Sequence, residues 1–274
     1  MSDAQVRQEL ARMLRLSPGG ERRGWFFPER IVLPILAPVV LLLIWQWAVG
    51  YANVPPSLLP APTVVFERLV QTFPLLLEHT VPTTVESLLS FVLATVLGIG
   101  LAILTVYWRL FAISMYPTIV FFQLIPKIAL APLFVVWLGI DMPSRLAFAV
   151  FISFFPIVIA TEAGLRSTPP DMLRLCTGLT ATGWQVFTSV RLPYAVPHIF
   201  SGMKIAVTFA IIGVIVGEFI SAQKGLGYII IFASSQADTA LILAAIFLLC
   251  VVGLALFGAV ALAERLARRR YGFA

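Results

Sequence analysis

Few residues in this sequence are of types that do chemistry, and each of them has unusual surroundings. Lys127 follows Ile125-Pro126 within the apolar run 110–140. Proline there removes a backbone donor, and a charge inside a membrane costs roughly 2.5–3.5 kcal/mol on insertion scales. Such a lysine either attracts an anion in a polar path or is held by a buried acid, and Glu218 is the acid on offer. Glu218 itself follows Gly213-Val-Ile-Val-Gly217, a small-xxx-small pattern that lets helix backbones approach closely, so Gly213 and Gly217 are read as helix-packing positions. His79 and His198 are solitary and read as loop or interfacial residues. Cys176 lies in a polar stretch and Cys250 in an apolar one, and neither a disulfide nor a metal site is expected from them. The sequence holds no paired acid and base for catalysis and no G-x-x-x-x-G-K-[ST] phosphate loop.

The elements that position these residues are membrane spans. The 274 residues are 60% hydrophobic and 12% charged, with mean hydropathy +0.98, whereas soluble domains run to about 25% charged. Runs 31–50, 87–108 and 239–263 carry no charge, 110–140 reads as one span broken at Pro126, and 146–161 and 205–217 are shorter cores. Arg145, Glu162, Lys204 and Glu218 extend those two cores and either snorkel or face a polar cavity. This makes an all-α polytopic membrane protein of about six transmembrane helices, each needing about 20 apolar residues. Residues 225–237 are too short to cross and read as a re-entrant or interfacial helix.

The net charge of +6 and pI near 9.7 would suggest nucleic acid in a soluble chain, but here the basic residues set topology, and no nucleic-acid partner is expected. Residues 1–30 hold Arg7, Arg12, Arg15, Arg22, Arg23 and Arg30 without a cleavable signal pattern, and 265–274 form a second basic tail. With both tails inside, only Arg68, Lys127, Arg145 and Lys224 fall elsewhere, which favours an N-in, C-in arrangement in a bacterial-type plasma (inner) membrane. Residues 31–50 are then the first span and 51–82 lie outside, with an amphipathic helix carrying Val64, Val65, Leu69 and Val70 that touches lipid or a substrate donor. Residues 83–264 form the transmembrane core.

Between the spans, a polar stretch at about 165–194 is longer than most connections and too rich in Leu173, Leu175, Leu179, Trp184, Phe187 and Val190 to be slack linker. Pro170 and Asp171 start a helix that Gly178 or Gly183 ends. A second helix from Trp184 to about Arg191 precedes "LPYAVP", which bends the chain back to the membrane. Two short helices with an apolar ridge serve either as a docking surface or as a self-packed cap.

This stretch resembles the cytoplasmic coupling loop of binding-protein-dependent ABC importer permeases. That signature runs Glu-Ala-Ala, three residues, Gly, nine residues, Ile, one residue, Leu-Pro. Leu192-Pro193 match, and Val190 is a mild change at Ile. Arg174, Leu175 and Cys176 stand at Glu-Ala-Ala, and Thr180 at Gly. "LLPAPTVVFERL", "IPKIALAPLFVVWLGI", "FFPIVIATEAGLRSTPPDML", "LPYAVPHIFSGMKIA" and "VGEFISAQKGLGYII" are similar, in order, to stretches of the nitrate/sulfonate/taurine-type permeases. The resemblance implies a type I importer permease core with a cytoplasmic coupling helix. It also implies a second permease copy, two cytoplasmic ATPase subunits holding ATP and Mg, and an external solute-binding protein. Arg174, Leu175, Cys176, Gly178, Leu179, Thr180, Trp184, Val190, Leu192 and Pro193 would couple to the ATPase, and no cofactor is expected in this chain. The alternatives are a stand-alone secondary transporter, for which paired broken helices in the two halves are missing, and an intramembrane enzyme, for which no catalytic constellation is seen.

Overall fold

The computed structural model describes residues 29–271, all of whose regular structure is helical. The expected basic tail at 1–30 falls outside the described residues apart from its last two positions, as do residues 272–274 of the C-terminal tail. The chain divides into two compact units, Met1–Asn53 and Val54–Ala274. The first contributes helix α1 (Glu29–Tyr51), near whose end Trp47 and Tyr51 stack with ring centroids 5.1 Å apart.

In the second unit, proline and its neighbours punctuate the elements. Helix α2 (Pro62–Gln71) and helix α3 (Phe73–Tyr107) both open with proline in the first turn, where its missing N–H costs nothing. Helix α4 (Arg109–Leu124) stops because Ile125, preceding Pro126, is driven to extended geometry (ψ 134°). A short 3₁₀ turn, Lys127–Leu130, leads into α5 (Ala131–Leu138), and the chain bends by 91° across the break. Helix α6 (Met142–Arg166) follows, then α7 (Pro170–Gly178), α8 (Gly183–Val186), a π turn (Phe187–Arg191) and α9 (Leu192–Ser221). Helix α10 (Leu226–Ser235) and α11 (Thr239–Tyr271) complete the chain.

Among the described residues four helices are long and apolar enough to cross a membrane: α3, α6, the continuous run Gly183–Ser221, and Thr239–Arg269 of α11. The bent pair α4–α5 makes a fifth if counted as one span. One sequence expectation changes here and another holds. "LPYAVP" does not bend the chain: Pro193 sits in the first turn of α9, Pro197 is carried inside it, and one 39-residue helix runs through the motif. Helix α10, ten residues long, is as short as expected.

The core of the bundle is the contact between α6 and α9. A Cβ added at Gly213 would lie 2.6 Å from the Cα of Ala149, and one at Gly202 would lie 2.6 Å from the Cβ of Ala160. These glycines let the two backbones nearly touch. Helix α3 packs on the same pair through a stripe of small and polar residues, His79, Thr83, Glu86, Ser90, Ala94, Gly98, Ala102 and Thr105, spaced three or four apart. Helix α2 is fastened to the turn before α11: Arg68 donates to Asp238 through Nε (3.0 Å) and Nη2 (2.5 Å), while the other Asp238 oxygen accepts from the Leu241 N–H (3.0 Å) as an N-cap. Of its expected apolar side, Val65 and Leu69 pack inward, while Val64 and Val70 are exposed.

Candidate functional site

The polar stripe of α3 meets α9 and α10 in a buried network at one end of the bundle. Helix α10 begins within the protein, where its first N–H groups have no partner of their own. Side chains supply them. The Gly225 N–H donates to His79 Nδ1 (3.0 Å), the Leu226 N–H to Thr83 Oγ1 (2.9 Å) and the Gly227 N–H to Glu218 Oε2 (2.7 Å). The Thr83 hydroxyl in turn donates to Glu218 Oε1 (2.7 Å), so one hydroxyl serves both helix start and carboxylate. Glu218 is 2% exposed and lies at the positive end of the α10 dipole. Gly225 enters the helix at φ 113°, and any Cβ there would run into the Glu218 carboxylate. His79 stacks on Tyr228 at 5.8 Å.

Beside this network lies an ion pair. Arg145 donates to Glu86 through Nε (2.9 Å) and Nη2 (2.6 Å), with both side chains nearly out of solvent. The stem of Arg145 lies against Gly217, where a Cβ would come within 2.9 Å of its Cγ. Two planar groups meeting at two points is the geometry in which a guanidinium best repays its desolvation.

Lys127 and Glu218 are therefore not joined. Among the described residues the lysine has no acidic partner, and its ammonium lies over the rings of Phe155 (5.2 Å) and Phe209 (5.8 Å). Aromatic faces attract an ammonium by about 0.5–2 kcal/mol while leaving its N–H groups free to bind. The Pro126 break aims it at α6 and α9 rather than along its own span.

At the opposite end, α7 and α8 form a projecting loop with rigid corners. Helix α7 closes in a Schellman motif: the Ala181 N–H bonds to the Cys176 carbonyl (3.0 Å) and the Thr180 N–H to that of Thr177 (3.1 Å). Thr180 takes the left-handed position at φ 53°. The following helix opens with a capping box in which Thr182 and Gln185 satisfy each other's backbone N–H. Its root packs inward, with Phe187 and Leu192 against Leu165, Ala195 and Ile199. Its crest does not: Leu175, Leu179 and Trp184 are 56%, 70% and 72% exposed.

A model of the binding-protein-dependent transport system inner membrane component family matches residues 94–270. This chain belongs to that family. It is similar to a probable ABC transporter permease protein of Haemophilus influenzae (36% identity, covering 83% of this chain and 93% of the relative). It is also similar to the formylaminopyrimidine transport permease protein ThiX of Halalkalibacterium halodurans (35%, 83% and 91%) and to the putative aliphatic sulfonates transport permease protein SsuC of Bacillus subtilis (29%, 89% and 87%). The fold matches a chain from inward-facing conformations of the MetNI methionine ABC transporter (TM-score 0.60, 20% identity, 69% of this chain and 95% of that one). The protein is the membrane-spanning permease subunit of an ABC importer of the nitrate/sulfonate/taurine type, multi-pass in the inner membrane. Its partners are an ATPase and a solute-binding protein, which decides against the stand-alone transporter.

In the permease, the signature positions separate into two groups. Arg174, Leu175, Gly178, Leu179, Thr180 and Trp184 lie on the exposed crest, whereas Cys176, Val190, Leu192 and Pro193 are half-buried. Arg174 makes a 3.5 Å contact with Asp171 between two exposed side chains. The left-handed conformation gives a physical reason for the family's Gly where this chain has Thr180. Sequence reasoning missed His79, Thr83, Glu86 and Arg145 as a group. The signal was present: His79, Thr83 and Glu86 lie at i, i+4 and i+7, one helical face, just before an apolar run. His79 is accordingly no loop residue but a buried acceptor inside α3.

Proposed function

We propose that two copies of this permease pair around one translocation path, with the 165–194 loop on the cytoplasmic side seated in a groove of each of two ABC ATPase subunits. On this reading ATP and Mg belong to those subunits, both termini of the permease are cytoplasmic, and the solute-binding protein delivers from the opposite face. The observation that carries it is the crest of Leu175, Leu179 and Trp184, exposed on a frame fixed by a Schellman motif and a capping box. Apolar side chains presented on a backbone already fixed are what a partner's pocket needs, because only the side chains remain to be ordered on binding.

Lys127 belongs to the path. It has aromatic company and free N–H groups at the break of α4–α5, and a cation there attracts solutes with anionic or electron-rich groups. The names of two relatives point to small heteroaromatic solutes, formylaminopyrimidine at 35% identity and riboflavin at 32%. That of a third points to aliphatic sulfonates at 29%. A small organic solute that is heteroaromatic or anionic fits all three.

Reconstitution in vesicles with the ATPase and binding protein tests this. ATP-driven uptake of labelled formylaminopyrimidine or taurine is expected, and Lys127→Met should assemble normally but transport poorly. Uptake by the permease alone, driven by an ion gradient without ATP, would refute the coupling. A Lys127→Met protein that transports as wild type would remove the lysine from the path.

A further inference from the structure

At the root of the loop, a cavity of about 280 Å³ is lined by Val106, Leu165, Arg166, Thr168, Leu173 and Arg191. Water occupies about 30 Å³ in the liquid, so this space admits a tetrahedral anion with its substituents. The walls are basic and incompletely satisfied. The guanidinium of Arg191 lies over the Tyr107 ring at 5.2 Å, but among the described residues its buried Nε has no acceptor and no carboxylate pairs with it. Arg166 donates to Glu162 (3.0 Å) and to the Thr105 carbonyl (3.5 Å). Thr168 is only 6% exposed, yet among the described residues its hydroxyl has no partner. A buried donor left unpaired costs about 1–3 kcal/mol. Both residues line the same basic cavity, and an acceptor from outside the chain would answer them there.

We propose that this cavity binds a phosphoryl anion, supplied by the headgroup of an anionic phospholipid. The location selects the source: α3 ends at Tyr107 and α6 at Arg166, so the cavity opens where two spans leave the hydrocarbon and headgroups lie. Basic pockets between spans at that depth suit anionic headgroups, and Val106 and Leu165 offer an apolar wall for the glycerol and first acyl carbons. The phosphate accepts from Arg191, from Arg166 and from the Thr168 hydroxyl. Thr168 precedes α7, and Arg191 ends the π turn on the loop's return, so one headgroup staples both roots of the projecting loop. That the staple also tunes ATPase engagement rests on the docking role proposed above; the binding itself does not.

The test is a titration of the delipidated permease–ATPase complex, and of the permease alone, in detergent. Phosphatidylglycerol, cardiolipin, phosphatidylcholine and inorganic phosphate are the probes, read by native mass spectrometry and melting temperature. Retention of phosphatidylglycerol or cardiolipin well above phosphatidylcholine is expected, with a rise in melting temperature. Thr168→Val keeps shape and removes only the hydroxyl, so in an empty pocket it would be neutral or stabilising. Here it should weaken anionic-lipid retention several-fold, and Arg191→Gln more so. Equal retention of phosphatidylglycerol and phosphatidylcholine, or unchanged retention in both variants, overturns the proposal. Protection by inorganic phosphate without protection by lipid overturns the lipid source. If Leu175 and Leu179 variants keep full ATPase association, the docking role fails, and the lipid result on the permease alone still stands.

Discussion

The two ends of the bundle handle polar groups in opposite ways. Around α10, His79, Thr83 and Glu218 are buried and each answers a backbone N–H, while Glu86 and Arg145 answer each other. At the loop end, charged and apolar side chains alike stand in the open, and the buried donors of Thr168 and Arg191 have no acceptor among the described residues. Inside a membrane protein an unsatisfied polar group is expensive, so the first arrangement is a finished structure and the second is one that expects company. The cost of substitution should follow: high and local to the fold around α10, low for the fold but high for association at the loop.

The largest loss of stability is expected from Glu86→Ala, which leaves the buried Arg145 without its counter-charge. Melting in detergent should report about 3–5 kcal/mol, most of it recovered when Glu86 and Arg145 are both replaced by Met. A Glu86→Ala protein that melts with the wild type would remove the pair from what holds this end together. Next comes Gly225→Ala, where φ 113° and the crowding of Glu218 combine. A loss of about 1–3 kcal/mol by the same measurement is expected, as for other backbone positions that tolerate only glycine.

Smaller effects sharpen the contrast from the loop end. Thr180→Gly should add about 1 kcal/mol locally by relieving a left-handed β-branched residue, seen as slower hydrogen exchange at the N–H groups of Thr180 and Ala181. Unchanged exchange there would mean the turn is not strained. Leu175→Asp and Leu179→Asp should alter stability least, by under about 0.5 kcal/mol, because neither side chain packs on the bundle. The same two changes should weaken ATPase co-purification by about tenfold or more, the usual cost of losing a central apolar anchor. If they destabilise the bundle instead, the crest is part of the core and the comparison of the ends collapses.

Much of this is legible in the sequence. Composition and run length declared a helical membrane protein, since a span must be apolar for about 20 residues whatever it packs against. Pro126 marked the break in α4–α5, and Pro170 the start of α7, because proline acts on its own backbone and its neighbour. Gly213 and Gly217 carried a packing signal within one segment, and the structure lays them against Ala149 and Arg145. The ordered motifs and the exposed-ridge pattern of the loop were also local, and the loop's departures at Arg174, Leu175, Cys176 and Thr180 could be counted from Leu192-Pro193. "LPYAVP" misled because prolines within a helix can be carried where neighbouring segments accommodate them, and local propensity cannot see the neighbours.

What only the tertiary structure decided was which charge answers which. Lys127 and Glu218 were both visible as costly intramembrane groups, and pairing them was the economical inference from one dimension. In the fold Glu218 turns to the start of α10 and to Thr83, Arg145 takes Glu86, Lys204 takes Glu264, and Lys127 is left among Phe155 and Phe209. The reason is physical: a buried charge needs a partner within about 3 Å, and sequence specifies the need through residue type but the partner only through the packing of α3, α6, α9 and α10 against one another.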